Sequence, residues 1–192
     1  MNTSGLSVFL RGCFSAFILA VIAIFPVPPA AQAAPNYAKV TVAAPPQEFE
    51  QAFAYYLTED SGSPTGARFD SRRAYRQGAS SDLMLAGRYY NGLVDSDPQT
   101  RMPEGYVRAA ASIPIWGNWC GSGYGSGTPR DLLDAACMRH DKCYGSKGYW
   151  NCNCDRTLIA EINRDYSRMH LTEKIAANAV KAFFSARIKA AC

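Results

Sequence analysis

The chain has 192 residues, a formal net charge of +4 and 48% hydrophobic residues. This length suits one domain of ordinary size, or a small domain with an extension. After residue 33 no apolar run is long enough to cross a bilayer, which excludes a protein with several membrane spans. The modest positive charge has two equally supported interpretations. One is binding to anionic partners, such as acidic lipid or nucleic acid, and the other is a surface that is merely soluble.

Residues 1–33 have the features of an export signal. Arg11 precedes an apolar run at residues 13–25, and small residues follow up to the AQA at residues 31–33. This run is shorter than the ~20 residues that a membrane-spanning helix needs. We therefore predict a cleaved signal peptide and a protein secreted into the extracellular or periplasmic space. The alternative is an uncleaved membrane anchor.

Residues 34–112 are predicted to be an N-terminal extension with two helices and a long loop. Phenylalanine, tyrosine and leucine recur at helical spacing within residues 48–57. The stretch DLMLAGRYYNGL predicts a second helix, which starts at a Ser81 or Asp82 cap. Between them, residues 58–82 are rich in Gly, Ser and Arg and are predicted to be a loop. The role of the extension is open between a propeptide, a membrane-touching arm and part of the core.

Residues 113–192 begin with a glycine-rich loop, followed by helices. Five glycines within 11 positions suit a loop that exposes its own carbonyls or amides; they are Gly117, Gly121, Gly123, Gly125 and Gly127. A first helix is predicted from Arg130 to Tyr144, with Pro129 and Asp131 as start signals. A second is predicted from Cys152 to Met169.

A third helix is predicted from about Thr172 almost to the end of the chain. Apolar residues, among them Ile175, Val180 and Phe183, suggest a packed face, and the basic residues suggest a solvent-exposed face. Residues 113–192 hold eleven Lys and Arg against seven Asp and Glu. The positive charge of the chain is therefore concentrated in this part.

The cysteines also lie in this part of the chain. Without Cys13, six of the seven remain: Cys120, Cys137, Cys143, Cys152, Cys154 and Cys192. An even number in an exported chain predicts three disulfides. The C-terminal part is therefore the part that disulfides hold together.

Four side chains that could bind a metal or take part in catalysis share one broad face of the first helix. Cys137, His140, Asp141 and Tyr144 stand at i, i+3, i+4 and i+7. One interpretation is a zinc site, with Cys137, His140 and Cys143 as ligands and Cys152 or Cys154 as the fourth. An oxidising compartment disfavours it, because thiols pair there. A second interpretation is purely structural, with stapled helices and a satisfied histidine.

The third interpretation is a calcium site beside a general base. Calcium takes carboxylate and carbonyl oxygens, which the glycine-rich loop and Asp141 can supply. His140 could then deprotonate a water, and a bound cation would stabilise the oxyanion that forms when the water attacks an ester. Asp155 on the second helix could orient the imidazole.

The stretch WCGSGYGSGTPRDLLDAACMRHDKCY, followed by CNCDR, resembles the secreted phospholipase A2 family. The likeness runs from about Trp116 to Arg156 and indicates a compact, bacterial-type variant. It implies a mainly α, disulfide-stapled fold with two antiparallel long helices, a Gly-rich calcium loop and an additional C-terminal helix. Residues 113–192 would be the catalytic domain, an enzyme that hydrolyses the sn-2 ester of glycerophospholipids with Ca²⁺ as cofactor.

The resemblance also implies roles for single residues. The carbonyls of Trp119, Gly121 and Gly123 would hold Ca²⁺ together with the Asp141 carboxylate. The Gly121 amide and the calcium would stabilise the oxyanion, and His140 would be the general base.

Asp155 would orient His140, and Tyr144 would donate a hydrogen bond to Asp155. Cys120 would pair with Cys137 and Cys143 with Cys154, which leaves Cys152 to pair with Cys192.

The chain departs from the family pattern at several points. Asn118 and Ala136 stand where many animal members carry cysteines, and Tyr124 is one extra residue after the implied calcium ligands. The β-wing of animal enzymes has no room between Tyr144 and Cys152. A second tyrosine that supports the aspartate in many members has no counterpart that the sequence identifies.

An enzyme that hydrolyses lipid has to bind a bilayer or micelle surface, and we expect such a surface as the partner. The basic charge of the chain favours an anionic surface. Trp116, Trp119, Tyr124 and Trp150 flank the motifs and are of the type found at membrane interfaces. For each of these residues, a position in the core is an equally good interpretation. Nothing else in the sequence supports nucleic acid as a partner. The alternative function is a non-catalytic secreted module, membrane-binding or toxic, on the same scaffold.

Overall fold

Helices dominate the computed structural model, which describes residues 36–97 and 114–192. The α-helices and strands are α1 Pro46–Tyr55, β1 Leu57–Glu59, β2 Ala67–Phe69, α2 Ser71–Arg76, α3 Ser81–Ser96, α4 Leu132–Lys147, α5 Cys152–Asp165 and α6 Leu171–Ala191. Two short 3-10 helices are Tyr37–Lys39 and Tyr166–Arg168. The predicted export signal lies outside the described residues. Within them, no helix is both long and apolar enough to cross a membrane.

Both helices predicted before residue 98 are present. α1 starts with Pro46 at a position where no intrahelical N–H is needed. It buries Phe49 and Phe53. α3 begins after Ser80, whose side chain accepts a hydrogen bond from the Leu83 N–H. The predicted start of α3 was therefore correct to within two residues.

The loop predicted for residues 58–82 is wrong in part, because the segment contains most of a β-hairpin and all of α2. β1 and β2 pair antiparallel, with Leu57 opposite Phe69. The Phe69 ring is 2% exposed, and a Cβ at Gly87 of α3 would overlap it. Asp70 caps α2 by accepting from the Arg73 N–H. The buried Phe69 ring stabilises the hairpin and the Asp70 cap stabilises α2, although the composition of the segment is typical of loops.

The two long helices α4 and α5 are antiparallel neighbours. Arg139 pairs with Glu161 at 2.7 Å, and further along α4 Cys143 is bonded to Cys154 near the start of α5. α4 starts after Asp131, whose carboxylate caps it by accepting from the Asp134 N–H, so the predicted start at Arg130 is two residues early.

The second helix was predicted to run to Met169. α5 ends at Asp165, and the 3-10 turn Tyr166–Arg168 follows it. There the Asp165 carboxylate pairs with both Arg164 and Arg168, and these pairs stabilise the end of the helix.

α6 joins the two parts of the chain into one core. It packs on α5 and, through Val180 and Phe183, on α3, where the Phe183 ring lies edge-on to Tyr90 with 6.2 Å between centroids. The described residues thus belong to one compact unit, Pro35–Cys192. The predicted solvent-exposed face of basic residues is wrong for Arg187, which is 3% exposed.

Three disulfides staple the C-terminal part, and they are the three pairs predicted. Cys120 is bonded to Cys137, Cys143 to Cys154 and Cys152 to Cys192. The first ties the glycine-rich loop to α4, the second joins α4 to α5, and the third joins the start of α5 to the residue after α6. The mainly helical, disulfide-stapled fold that the sequence predicts is therefore confirmed.

Candidate active site

A buried carboxylate organises the glycine-rich loop from below. Asp134 of α4 is fully buried, and its side chain accepts hydrogen bonds from the backbone N–H groups of Asn118, Trp119 and Arg130 at 2.7 to 3.0 Å. A Cβ at Gly117 would overlap this carboxylate. The first helix thus carries an anchor for the loop that the sequence analysis did not single out.

The glycine-rich loop passes close to Asp141. A Cβ at Gly125 would lie 2.7 Å from the Trp119 ring and 3.2 Å from Asp141 Oδ2, so the loop passes directly over this carboxylate. Among the described residues, the carbonyls of Trp119 and Gly123 accept no hydrogen bond. The Gly121 carbonyl accepts one from the Tyr124 N–H at 3.3 Å, so the extra tyrosine closes a turn around Gly121.

Asp141 is the negative group at this site. Burial raises the pKa of its carboxyl to about 7, and its nearest ionisable neighbour in the described ranges is His140, whose Nδ1 lies 4.0 Å from Oδ1. Among the described residues, no Lys or Arg stands beside this half-buried carboxylate, and the loop above it offers carbonyl oxygens, which is the donor set that a hard cation prefers. The residues present therefore fit calcium.

His140 is held by a carboxylate on the neighbouring helix. Its Nε2 lies 2.9 Å from Oδ1 of Asp155, which is fully buried. A carboxylate accepts only, so Nε2 carries the proton and Nδ1 keeps a free lone pair. Nδ1 is the nitrogen on the Asp141 side. The imidazole thus presents a basic nitrogen to the site that Asp141 and the loop form.

Tyr144, one turn after His140 on α4, adds a third side chain to the His140–Asp155 pair. Its hydroxyl donates to the same Asp155 Oδ1, and its ring lies 4.2 Å from the His140 ring. Burial and the hydrogen bond to Asp155 raise the pKa of Tyr144 well above its usual value. Phe184 of α6 packs edge-on against His140 at 4.7 Å. The imidazole is therefore fixed on two sides by rings and on a third by the carboxylate.

These groups line a cavity of about 430 Å³. One wall is polar and carries the loop glycines with His140 and Asp141. The other is apolar and comes from α3, α5 and α6, with Leu93, Leu158, Val180 and Phe183. Tyr149 stands at the cavity and is 53% exposed. The cavity thus joins a charged site to an apolar space.

The zinc interpretation is wrong, because the cysteines that it needed are bonded in pairs. Cys137, Cys143, Cys152 and Cys154 are all in disulfides. The described residues also hold no cluster of three His, Cys, Asp or Glu side chains placed to bind a metal.

Comparison with known proteins identifies relatives of a segment of the chain. A basic phospholipase A2 from Micrurus corallinus is 46% identical over 52 residues, which are 27% of this chain and 35% of that protein. The A2 chain of a β-bungarotoxin, a basic phospholipase A2 from Bungarus flaviceps flaviceps, is 53% identical over 38 residues, 20% and 25% of the two chains. The chain is related to the phospholipase A2 family.

A third phospholipase A2, from Micrurus mipartitus, is 63% identical over 30 residues, 16% of this chain and 24% of that protein. The chain thus spans about a quarter to a third of the length of the curated relatives that it matches. No family model and no solved structure matches it. The phospholipase A2 relationship therefore rests on a short segment of high identity.

The predicted interfacial aromatic residues have definite places. Trp116 is half-buried and its Nε1 donates to Asp131, while Trp119 Nε1 donates to the Gly127 carbonyl. Trp150 packs against Tyr149, with 4.7 Å between ring centroids. The most exposed ring at the cavity is Tyr149, which the sequence analysis did not name.

Sequence reasoning also missed what α6 and α3 bring to this phospholipase A2-like site. Arg187 of α6 lies 3.2 Å from Asp155 Oδ2, on the side of the aspartate for which no second tyrosine was found. A signal existed, since Arg187 continues the helical spacing of the buried Ala176, Val180 and Phe183. For Leu93 of α3 no sequence signal pointed to the cavity.

Proposed function

We propose that this protein is a calcium-dependent phospholipase A2, a carboxylic ester hydrolase that releases a fatty acid and a lysophospholipid from glycerophospholipids. The observation that carries the proposal is the His140–Asp155 pair, with Nδ1 of the imidazole free beside Asp141 and the glycine-rich loop. A general base, a carboxylate that orients it and a site for a cation near the reacting ester are suited to ester hydrolysis by an activated water.

His140 would act as the general base. Its Nδ1 takes a proton from a water as the water oxygen attacks the carbonyl carbon of the sn-2 ester. The imidazolium is stabilised by the Asp155 carboxylate at Nε2. The bond from the carbonyl carbon to the glycerol oxygen then breaks, and the proton on Nδ1 passes to that oxygen. No covalent enzyme intermediate is needed.

The loop and Asp141 would hold the cation. Ligands would be the Asp141 carboxylate and the carbonyl oxygens of Trp119, Gly121 and Gly123. When bound, calcium would supply positive charge to the ester carbonyl, and the Gly121 N–H would donate a hydrogen bond to the same oxygen. The raised pKa of Asp141 without a cation supports this assignment, because a site built for calcium is costly for a lone carboxylate.

The cavity supports a lipid substrate. Its apolar wall suits an acyl chain, and its polar wall suits the ester and its phosphate. The partner would be a phospholipid bilayer or micelle, with an anionic surface favoured by the basic C-terminal part. Export is supported by the three disulfides, which persist in oxidising compartments.

A second candidate is a non-catalytic toxin or membrane-binding module. It is favoured by one observation, that a matched relative is named as a chain of β-bungarotoxin. The two functions differ in what His140 is needed for. Fatty-acid release by an enzyme requires the imidazole, whereas vesicle binding by a non-catalytic module does not.

The test is fatty-acid release from phospholipid vesicles, with Ca²⁺ or with a chelator. His140→Gln removes the base, and His170→Gln is the matched control, because these are the two histidines of the chain and His170 is exposed at the start of α6. We expect release that needs calcium, is lost in His140→Gln and persists in His170→Gln. Folded protein that binds vesicles without releasing fatty acid in calcium would favour the binding module.

A further inference from the structure

Arg187 is a charged side chain in the core. It is 3% exposed, and it lies on the face of α6 that also buries Val180 and Phe183. A charge removed from water is unfavourable unless other groups pair with it and hydrogen-bond to it. The partners of this guanidinium therefore indicate what it does.

The closest contacts of the guanidinium lead to the candidate active site. Nη2 lies 3.2 Å from Asp155 Oδ2 and donates to the Trp150 carbonyl at 2.8 Å. The guanidinium carbon stands 4.0 Å from the centre of the Trp150 ring, close enough for a cation–π contact. Arg187 thus connects α6 to both the start of α5 and the turn before it.

The Asp155 carboxylate is divided between two tasks. Oδ1 contacts His140 and Tyr144, whereas within residues 36–97 and 114–192 Oδ2 has no aligned hydrogen bond and its ion pair is with Arg187. Without the guanidinium, a fully buried carboxylate would lose its counter-charge and its rotational restraint. The plane of the His140 ring would then be less well defined, because Asp155 holds its Nε2.

The turn between α4 and α5 depends on the same residue. Trp150 has a φ of 64°, and in the described ranges it is the one non-glycine residue with a positive φ. Large side chains adopt this conformation only where neighbours hold it. Arg187 binds the carbonyl and covers the ring of Trp150, and the Cys152–Cys192 disulfide ties the adjacent end of α5 to the end of α6.

We propose that Arg187 is a positioning residue of the active site, acting through Asp155 and Trp150 to hold the general base and the cavity wall. It does not line the cavity, whereas His140, Tyr144 and Trp150 do. Arg187 is therefore not a substrate-binding group. The inference rests on the proposed ester hydrolysis, because it assigns Arg187 a part in that reaction.

The experiment compares Arg187→Gln, Arg187→Lys and the control Arg139→Gln. Arg139 also pairs with a carboxylate between two helices, but its side chain is 44% exposed and does not line the cavity. With vesicles and calcium, we expect kcat of Arg187→Gln to fall about 10- to 100-fold, the range typical of groups that orient a functional side chain. KM and vesicle binding should change little, and Arg139→Gln should stay within about twofold of wild type, as a surface pair does.

Two further variants test the route of action. Arg187→Lys keeps the charge without the planar fork and should recover part of kcat. If Arg187 acts through Asp155, Arg187→Gln should cost much less in an Asp155→Asn background, because coupled residues are not additive. A wild-type kcat in Arg187→Gln, or a loss that multiplies fully with Asp155→Asn, would overturn the proposal.

A readout independent of turnover separates this proposal from the proposed function. In NMR spectra of the His170→Gln protein, which leaves His140 as the one imidazole, the Nε2 proton held by Asp155 should give a single downfield resonance. Arg187→Gln should shift or broaden it, and Arg139→Gln should not. If the resonance responds so but no variant hydrolyses lipid, the proposed function fails while the positioning stands; an unchanged resonance contradicts the positioning.

Discussion

At the scale of single residues, Asp134 illustrates how a carboxylate can define a loop that lies above it. Several backbone N–H groups converge on its oxygens, and the loop residues that they belong to include Trp119, a proposed calcium ligand. Hydrogen bonds to a charged acceptor contribute more than neutral ones. The loop geometry therefore depends on one buried carboxylate as well as on its glycines.

We expect Asp134→Asn to lower the free energy of unfolding by about 2 to 3 kcal/mol and calcium affinity at least tenfold. The amide supplies one acceptor oxygen, and its NH₂ group opposes the backbone donors. Urea unfolding and calcium titration measure the two effects. Asp82→Asn is the control, since the Asp82 carboxylate also accepts a backbone N–H but at α3, outside the loop. Equal calcium affinities for the two variants would contradict the prediction.

At the scale of elements, the Cys152–Cys192 disulfide and Arg187 both link the C-terminal part of α6 to the start of α5. The disulfide closes a separation of 40 residues, against 11 for Cys143–Cys154. In the loop-entropy model the longer closure contributes about 4 kcal/mol and the shorter one about 3 kcal/mol. Of these two disulfides, the longer link therefore contributes the larger share of stability.

Replacing Cys152 and Cys192 together by serine should reduce the free energy of unfolding by about 2 to 4 kcal/mol, and by more than the same change at Cys143 and Cys154. Urea denaturation of both double variants under non-reducing conditions gives the comparison. A smaller loss for Cys152 and Cys192 would show that chain entropy does not govern this link.

At the scale of the whole molecule, the segment before residue 98 supplies part of the core on which the site rests. Tyr90 of α3 is fully buried, donates to Thr65 and lies edge-on to Phe183. Leu93 reaches the cavity wall. This packing favours a structural role for the described part of the extension, residues 36–97, over a removable propeptide.

Removing residues 34–112 should therefore abolish cooperative unfolding and activity, not increase activity as a propeptide would. Circular dichroism melting and fatty-acid release are the measurements. Tyr90→Ala should cost about 3 to 5 kcal/mol, whereas Tyr75→Ala, at a ring that is 77% exposed, should stay within about 0.5 kcal/mol. A trimmed protein that is folded and more active would contradict this prediction.

Sequence reasoning predicted the local features well and the packing of α6 poorly. Helices α1, α3, α4 and α6 follow from apolar spacing and caps, which are local in the chain. The hairpin was missed because it depends on Phe69 packing on α3, a contact that composition does not reveal, and α2 was missed although Asp70 caps it locally.

The helical stapled fold and the neighbouring positions of His140 and Asp141 were predictable from the sequence, because they depend on spacing along a helix or on a recognisable motif. Two cysteine pairs followed from the family resemblance, and the pair Cys152–Cys192 was what remained. Only the tertiary structure decided that Arg187 faces Asp155 and that Asp134 anchors the loop. Burial and ion pairing between distant segments depend on how helices pack. A charge that continues an apolar face can be solvated or paired, and only its neighbours in space decide which.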